Sequence, residues 1–335
     1  MKKSVWFMFI LLVVFSLVGT ACAVQVPAAT DMDAGDSDSD AAMADDLGDY
    51  PERPVEFVVP WPPGDLEDVL TRLIAEEMQS QTGVPAAVVN KPGGGGVVGA
   101  IDVFQAEADG HTIGSFVIGI PTVHIMSGNA PYERGDFEPV GIFLTYPFVL
   151  ATAGDAPYSD MAELAAYSND NDVSLGHFGF GLVPTRASLL SMEDLGGKFA
   201  SEAAFDALDC TTLSSGDVDV INTTIQLLLP CLDDVKILAS IGADRLSVSP
   251  DTATLGEQGG IDIALWNGLF VRKGTPQAVK DMLAEVAQTA LNSDAAKEVA
   301  ETTGASIYWL GEADSQALID ADWDTITAML ERMEQ

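Results

Sequence analysis

The chain of 335 residues carries 51 Asp and Glu against 15 Lys and Arg, a formal charge of −36, and 47% of it is hydrophobic. That length and apolar content suffice for two ordinary domains with their own cores. So negative a balance argues against nucleic acid and anionic membrane surfaces as partners, and fits either simple solubility or steering of a cationic ligand.

At the start of the chain, Met1 to Ser4 are basic and polar, Val5 to Val18 form an apolar run broken by Ser16, and Gly19 to Cys22 are small residues. This is the layout of an export signal. It is too short for a permanent span, and no later segment approaches the ~20 apolar residues of a membrane helix. Two processing routes fit, lipid modification of Cys22 or cleavage after Ala23. We favour the first because it explains a cysteine closing the small-residue run, although Gly19 stands where lipoprotein signals usually carry a larger aliphatic residue. Residues 1–22 are thus expected to be a signal peptide and 23–49 a disordered acidic tether, since the latter hold eight Asp, no cation and no aromatic. The run DMDAGDSDSD lacks the Gly and Glu positions of an EF-hand loop, so it reads as a solvated spacer.

From Tyr50 onward, short β-rich runs alternate with amphipathic helices. Val55 to Val59 predicts a strand, and Val69, Leu70, Leu73, Ile74 and Met78 mark one face of a helix over 66–82. Ala86 to Val89 is the next strand, followed by the Gly93 to Gly96 run and a helix over 99–106. Further strands are expected at 111–118, within 137–153, and at 173–175, 218–221 and 235–239. Helices are expected at 158–169, 185–195, 201–213, 276–292, 294–303 and 313–333. The alternation argues for largely parallel sheets flanked by helices.

Beyond Cys22 the chain has Cys210 and Cys231, an even pair in an oxidising compartment, and sequence alone leaves open whether they meet. Their spacing and the scattered His111, His124 and His177 make no zinc pattern. There is no Gly-x-Ser-x-Gly elbow, no His-Glu-x-x-His, no dinucleotide fingerprint, and no Lys after the glycine run to make a phosphate loop. No cofactor is implied, and a secreted enzyme is the weaker reading.

Several ordered blocks together resemble the substrate-binding receptors of tripartite tricarboxylate transporters. They are Tyr50 through Gly64 with Asp68 and Arg72, Gly83 through Gly99, Ala108 to Thr112, Asp136 to Val140, Gly216 to Asp219 followed by Pro230, and Trp266 to Pro276. The resemblance implies an α/β, type II periplasmic-binding-protein-like fold. Two α/β domains, 50–151 with 270–335 and 152–269, would enclose a ligand between them. It also implies a monomeric, exported receptor, periplasmic or at the cell surface, that captures a small organic acid or related polar solute and passes it to membrane permease subunits. A sensory receptor feeding a membrane signalling partner would look much the same.

On that reading a carboxylate is held by loops where strands end and helices begin. The expected ligand-binding residues are Trp61, Pro63, Gly64, Asp65 and Asp68 in the first loop, His177, Phe178, Gly179, Gly181 and Thr185 in the second, and Thr223 on a third edge. Where the family usually has more glycine and a hydroxyl, this chain has Asp65, Leu66 and Glu67; Leu182 and Val183 replace small or hydroxyl residues, and Thr223 replaces an Asp. Each position also has a local explanation. Asp65, Glu67 and Asp68 suit a helix N-terminus, Arg72 suits an ion pair with Asp68 four residues before it, and Trp61 and Phe178 suit core packing as well as a ligand wall. Arg186 begins a helix, where a cation is disfavoured, which leaves room for a function.

Overall fold

The computed structural model describes residues 47–205 and 207–333. The expected signal peptide, Cys22 and nearly all of the expected tether lie outside the described residues.

The first half builds β1 (Val55–Val59), α1 (Leu66–Thr82), β2 (Ala86–Asn90), α2 (Val97–Gln105), β3 (Thr112–Val117), α3 (Val123–Met126) and β4 (Phe137–Thr145). In β1, Phe57, Val58 and Val59 are all fully buried, the pattern of a strand covered on both faces. Helix α1 buries Leu70, Ile74 and Met78 against it and stops where Gly83 takes a left-handed backbone.

The chain then crosses into a second sheet with β5 (Phe148–Ala153), α4 (Met161–Ser168), β6 (Ser174–His177), α5 (Val183–Asp194), β7 (Ser201–Ala204), α6 (Cys210–Ser215), β8 (Val220–Thr224) and β9 (Val235–Ile241). It returns through β10 (Trp266–Arg272), α7 (Gln277–Leu291), α8 (Asp294–Thr303), β11 (Ser306–Gly311) and α9 (Glu312–Met333).

The six-stranded sheet runs β11-β4-β10-β3-β1-β2 and the five-stranded sheet β7-β6-β8-β5-β9. This is the bilobed type II architecture. The sheets change hands at Tyr146–Pro147 and again between Ile241 and Trp266, so the expected boundaries 151/152 and 269/270 fall inside β5 and β10. The two crossings lie side by side, with Tyr146 N–H donating to the Leu265 carbonyl at 2.8 Å.

Three expectations change. The sheets are mixed rather than largely parallel: β1 pairs in parallel with β2 and β3, but β10 runs antiparallel to β3 and β4, and β5 antiparallel to β8 and β9. The returning chain inserts β10 between β3 and β4, a long-range pairing that local periodicity does not encode. Residues 201–213 are not one helix. Ser201–Ala204 adds in parallel to β6 at the sheet edge, and Asp209, accepting from the N–H groups of Thr211 and Thr212, starts α6 only at Cys210. The strands β10 and β11 were not foreseen.

Cys210 and Cys231 form a disulfide with Cα atoms 6.0 Å apart. It joins the first residue of α6 to the turn at 229–234 that leads into β9. Among the described residues there is no helix long and apolar enough to cross a membrane, and no group of three or more His, Cys, Asp or Glu arranged to hold a metal.

Closing a loop of this span limits the unfolded chain, and the double substitution Cys210→Ser with Cys231→Ser is expected to lower unfolding free energy by about 2–4 kcal/mol. Urea denaturation of oxidised protein and variant measures it; coincident midpoints would show that the bridge adds nothing.

Candidate functional site

The loop from Trp61 to Asp65 follows β1 and turns into α1, and one buried carboxylate fixes its course. Asp68 is 1% exposed. Its Oδ2 accepts from the Gly64 N–H at 2.9 Å and Arg72 Nε at 3.0 Å, and its Oδ1 from Arg72 Nη2 at 2.9 Å and Asn90 Nδ2 at 2.8 Å. Asn90 also donates to the Trp61 carbonyl at 3.0 Å. Burial alone would raise the Asp68 carboxyl, but the hydrogen bonds from Arg72, Asn90 and Gly64 outweigh it and hold the group below its usual range. Gly64 turns the loop at a φ of 103°, which strains any residue with a side chain.

Asp65 is exposed at the N-cap of α1, yet its side chain makes no capping bond. Burial of part of the group, and then the neighbouring Asp68 charge, raise its carboxyl. Glu67 is 3% exposed and accepts from the Tyr146 hydroxyl at 2.8 Å. Behind it, Asn267 donates to Ser115 at 2.8 Å and Thr71 donates to Ser115 at 2.9 Å, all within the buried interior. Burial, then the Asp65 charge, push the Glu67 carboxyl from 4.5 up to about 7 against hydrogen bonds from its own N–H and Tyr146. Since Tyr146 sits at the crossing between the sheets, Glu67 ties the first loop to the hinge.

The glycine run forms a close-packed turn beside Trp61. A Cβ on Gly96 would lie 2.9 Å from Ile120 Cδ1, and one on Gly95 would lie 2.8 Å from His124 Cε1. His124 Nε2 donates to the Gly95 carbonyl at 2.8 Å. Burial lowers the His124 pKa, the Gly95 bond opposes that, and the positive charge of Arg186 lowers it again. Arg186 belongs to α5 of the other lobe, so its charge is felt across to this turn.

In the second loop, Phe178 meets Phe148 edge-on at 6.4 Å, and Phe148 meets Tyr146 at 6.2 Å. These aromatics line the path from the loop to the hinge. Thr185 donates to the Gly179 carbonyl at 2.9 Å and closes the loop on itself. Gly181 is exposed with open space where a side chain would begin. Helix α5 begins after Leu182, again with no side-chain cap.

The expected site residues thus separate by position. Trp61, Pro63, Gly64, Asp65, Phe178, Gly179 and Gly181 lie on the loops themselves. Asp68, Thr185 and Thr223 have their side chains engaged inside the protein, Thr223 donating to the Leu208 carbonyl at 2.7 Å. His177 is 2% exposed and its Nε2 pairs with Glu202 on β7, while its buried Nδ1 has no partner among the described residues. Sequence reasoning did not single out His124, Ile120, Tyr146 and Phe148 as neighbours of these loops, and none of them carries a local motif; the crossing and the turn after β3 bring them there. Two surface hollows, one lined by Ile125, Arg134 and Ile319 and one by Glu138, Lys280 and Glu312, share no residue with this cleft.

Two α/β lobes joined by paired crossings, with loops from both meeting at the hinge, define a bilobed solute receptor. The comparisons name its family. The model of the tripartite tricarboxylate transporter family receptor matches residues 70–334. A UPF0065 protein of Pseudomonas sp. (strain P51) is 30% identical over 259 residues, covering 72% of this chain and 75% of its own. Of solved structures, the periplasmic binding protein BugD is 30% identical with a TM-score of 0.68, covering 85% of this chain and 98% of that one. MatC from Rhodopseudomonas palustris, solved with bound malate, is 27% identical with a TM-score of 0.68, covering 84% and 98%. The chain belongs to the tripartite tricarboxylate transporter receptor family, whose members are exported solute receptors rather than enzymes.

The native state holds the Glu67 proton more tightly than the unfolded chain does. The stabilisation this gives is full below pH 4.5 and is lost as pH rises to about 7. Glu67→Gln, which keeps an acceptor for Tyr146 but cannot ionise, should therefore gain stability relative to the parent across that window. Denaturation midpoints from pH 4.5 to 8 test this; a constant difference between the two proteins would contradict it.

Proposed function

We propose that the protein captures a small carboxylate-bearing solute between its lobes and delivers it to the permease subunits of a tripartite transporter, held near the membrane by a lipid on Cys22. The observation that carries the carboxylate reading is the pair of uncapped helix starts. Both α1 and α5 begin without a side-chain cap, so the first-turn N–H groups other than that of Glu67, which meets its own carboxyl, remain open to ligand oxygens, Pro184 having none to offer. Malate in the related MatC supports the same class of solute. Trp61, Pro63 and Gly64 would form one jaw, and Phe178, Gly179 and Gly181 the other. Asp68, His177, Thr185 and Thr223 would shape those jaws from behind.

Binding only to the closed native form raises thermal stability in proportion to ligand concentration over Kd. A melting screen of mono- and dicarboxylates, aromatic acids, amino acids and amides, with calorimetry on each hit, should find carboxylates that raise Tm and are recovered unchanged. A solute that is consumed, or a screen in which only uncharged compounds stabilise, would overturn the proposal.

A further inference from the structure

Resting on the receptor reading, we infer that Arg186 anchors one carboxylate of the solute, and that Asp65 on the facing wall selects a solute whose far end is an amine rather than a second carboxylate. The preferred class is then an amino acid with separated charges, not a dicarboxylate.

Arg53, Arg72, Arg134, Arg245 and Arg332 each pair with a carboxylate, and Arg272 donates to the Phe104 carbonyl. Among the described residues Arg186 has neither kind of partner, although the chain carries 51 acids to choose from. Its Nε is buried with no hydrogen bond, and its charged end rests 5.8 Å from the Phe180 ring. Burial draws its pKa down, the direction expected of a cation removed from water without compensation. Leaving such donors unmatched is unfavourable unless a ligand supplies the acceptor, and a planar guanidinium is matched best by the two oxygens of a carboxylate. His124 cannot take that role, since its Nε2 is engaged with Gly95 and its pKa is lowered.

The other wall carries the opposite charge. The exposed Asp65 carboxylate makes no hydrogen bond among the described residues, and no ion pair joins it to Arg186. Unpaired charges of opposite sign therefore stand on the two lobes. A solute with carboxylates at both ends would place one of them against like charge, whereas an ammonium there would be stabilised.

Calorimetry on the full chain, comparing the ω-amino acids from β-alanine to 6-aminohexanoate with the dicarboxylates from malonate to adipate, tests the inference. One ω-amino acid should bind at least tenfold tighter than the dicarboxylate of equal length. Arg186→Gln should weaken it roughly ten- to hundredfold, the range expected for losing a charge-assisted hydrogen bond. Arg186→Lys, which keeps the cation without the fork, should fall between, so the test survives if the Gln variant folds poorly. Asp65→Asn should narrow the preference between the two series. A tighter dicarboxylate, or Arg186 variants with unchanged affinity, would overturn the inference while leaving the receptor reading intact. Silence from both series would overturn it too, and the receptor reading would fall only if the wider carboxylate screen were also blank.

Discussion

A carboxylate that is 1% exposed cannot stand alone, and the way Asp68 satisfies its oxygens sets the shape of the site. It draws in the Gly64 N–H, the Arg72 side chain and Asn90 from the neighbouring strand. Asn90 in turn holds the Trp61 carbonyl. The loop is thereby fixed at both ends before any solute arrives, which lowers the ordering cost of binding. In the proposed site Asp68 would act on the solute through the backbone it positions rather than by touching it.

The second constraint is the hinge. Tyr146 bonds to Leu265 across the paired crossings and to Glu67 beneath the first loop, so a change in lobe angle is felt at the start of α1. Phe148 and Phe178 continue the contact into the other lobe. This gives the cleft a rigid floor with two walls of different character. One wall carries Asp65 and is tied to the hinge; the other presents an arginine that rests on the Phe180 ring with no carboxylate or carbonyl partner among the described residues. In so acidic a chain, that arginine is a local exception to the overall field.

Much of this was legible in the sequence, for identifiable reasons. The helix α1 was readable to the residue because its apolar periodicity and its terminal Gly83 agree. The disulfide pair was nameable as the two cysteines left once Cys22 is given to export, although only the fold brings them together. The first and second loops were visible as glycine and proline punctuation between a strand and a helix. Residues 201–204 were misread because a helix-prone composition was overridden by pairing with β6. Tyr146, His124 and Phe148 were not legible, since their place in the cleft depends on the crossing and on β10 returning between β3 and β4. The acids at the opening of α1 were read as possible caps; in the fold Asp65 makes no capping bond and Glu67 faces the interior.

The most direct test of a solute gripped by both lobes is a crystal structure of the protein grown with a stabilising carboxylate. The expected result is a solute bound between the Trp61–Asp65 loop and the Phe178–Arg186 segment, with its carboxylate reached from both α/β lobes. A solute held by one lobe alone, or bound in either of the hollows near Arg134 and Lys280, would contradict it.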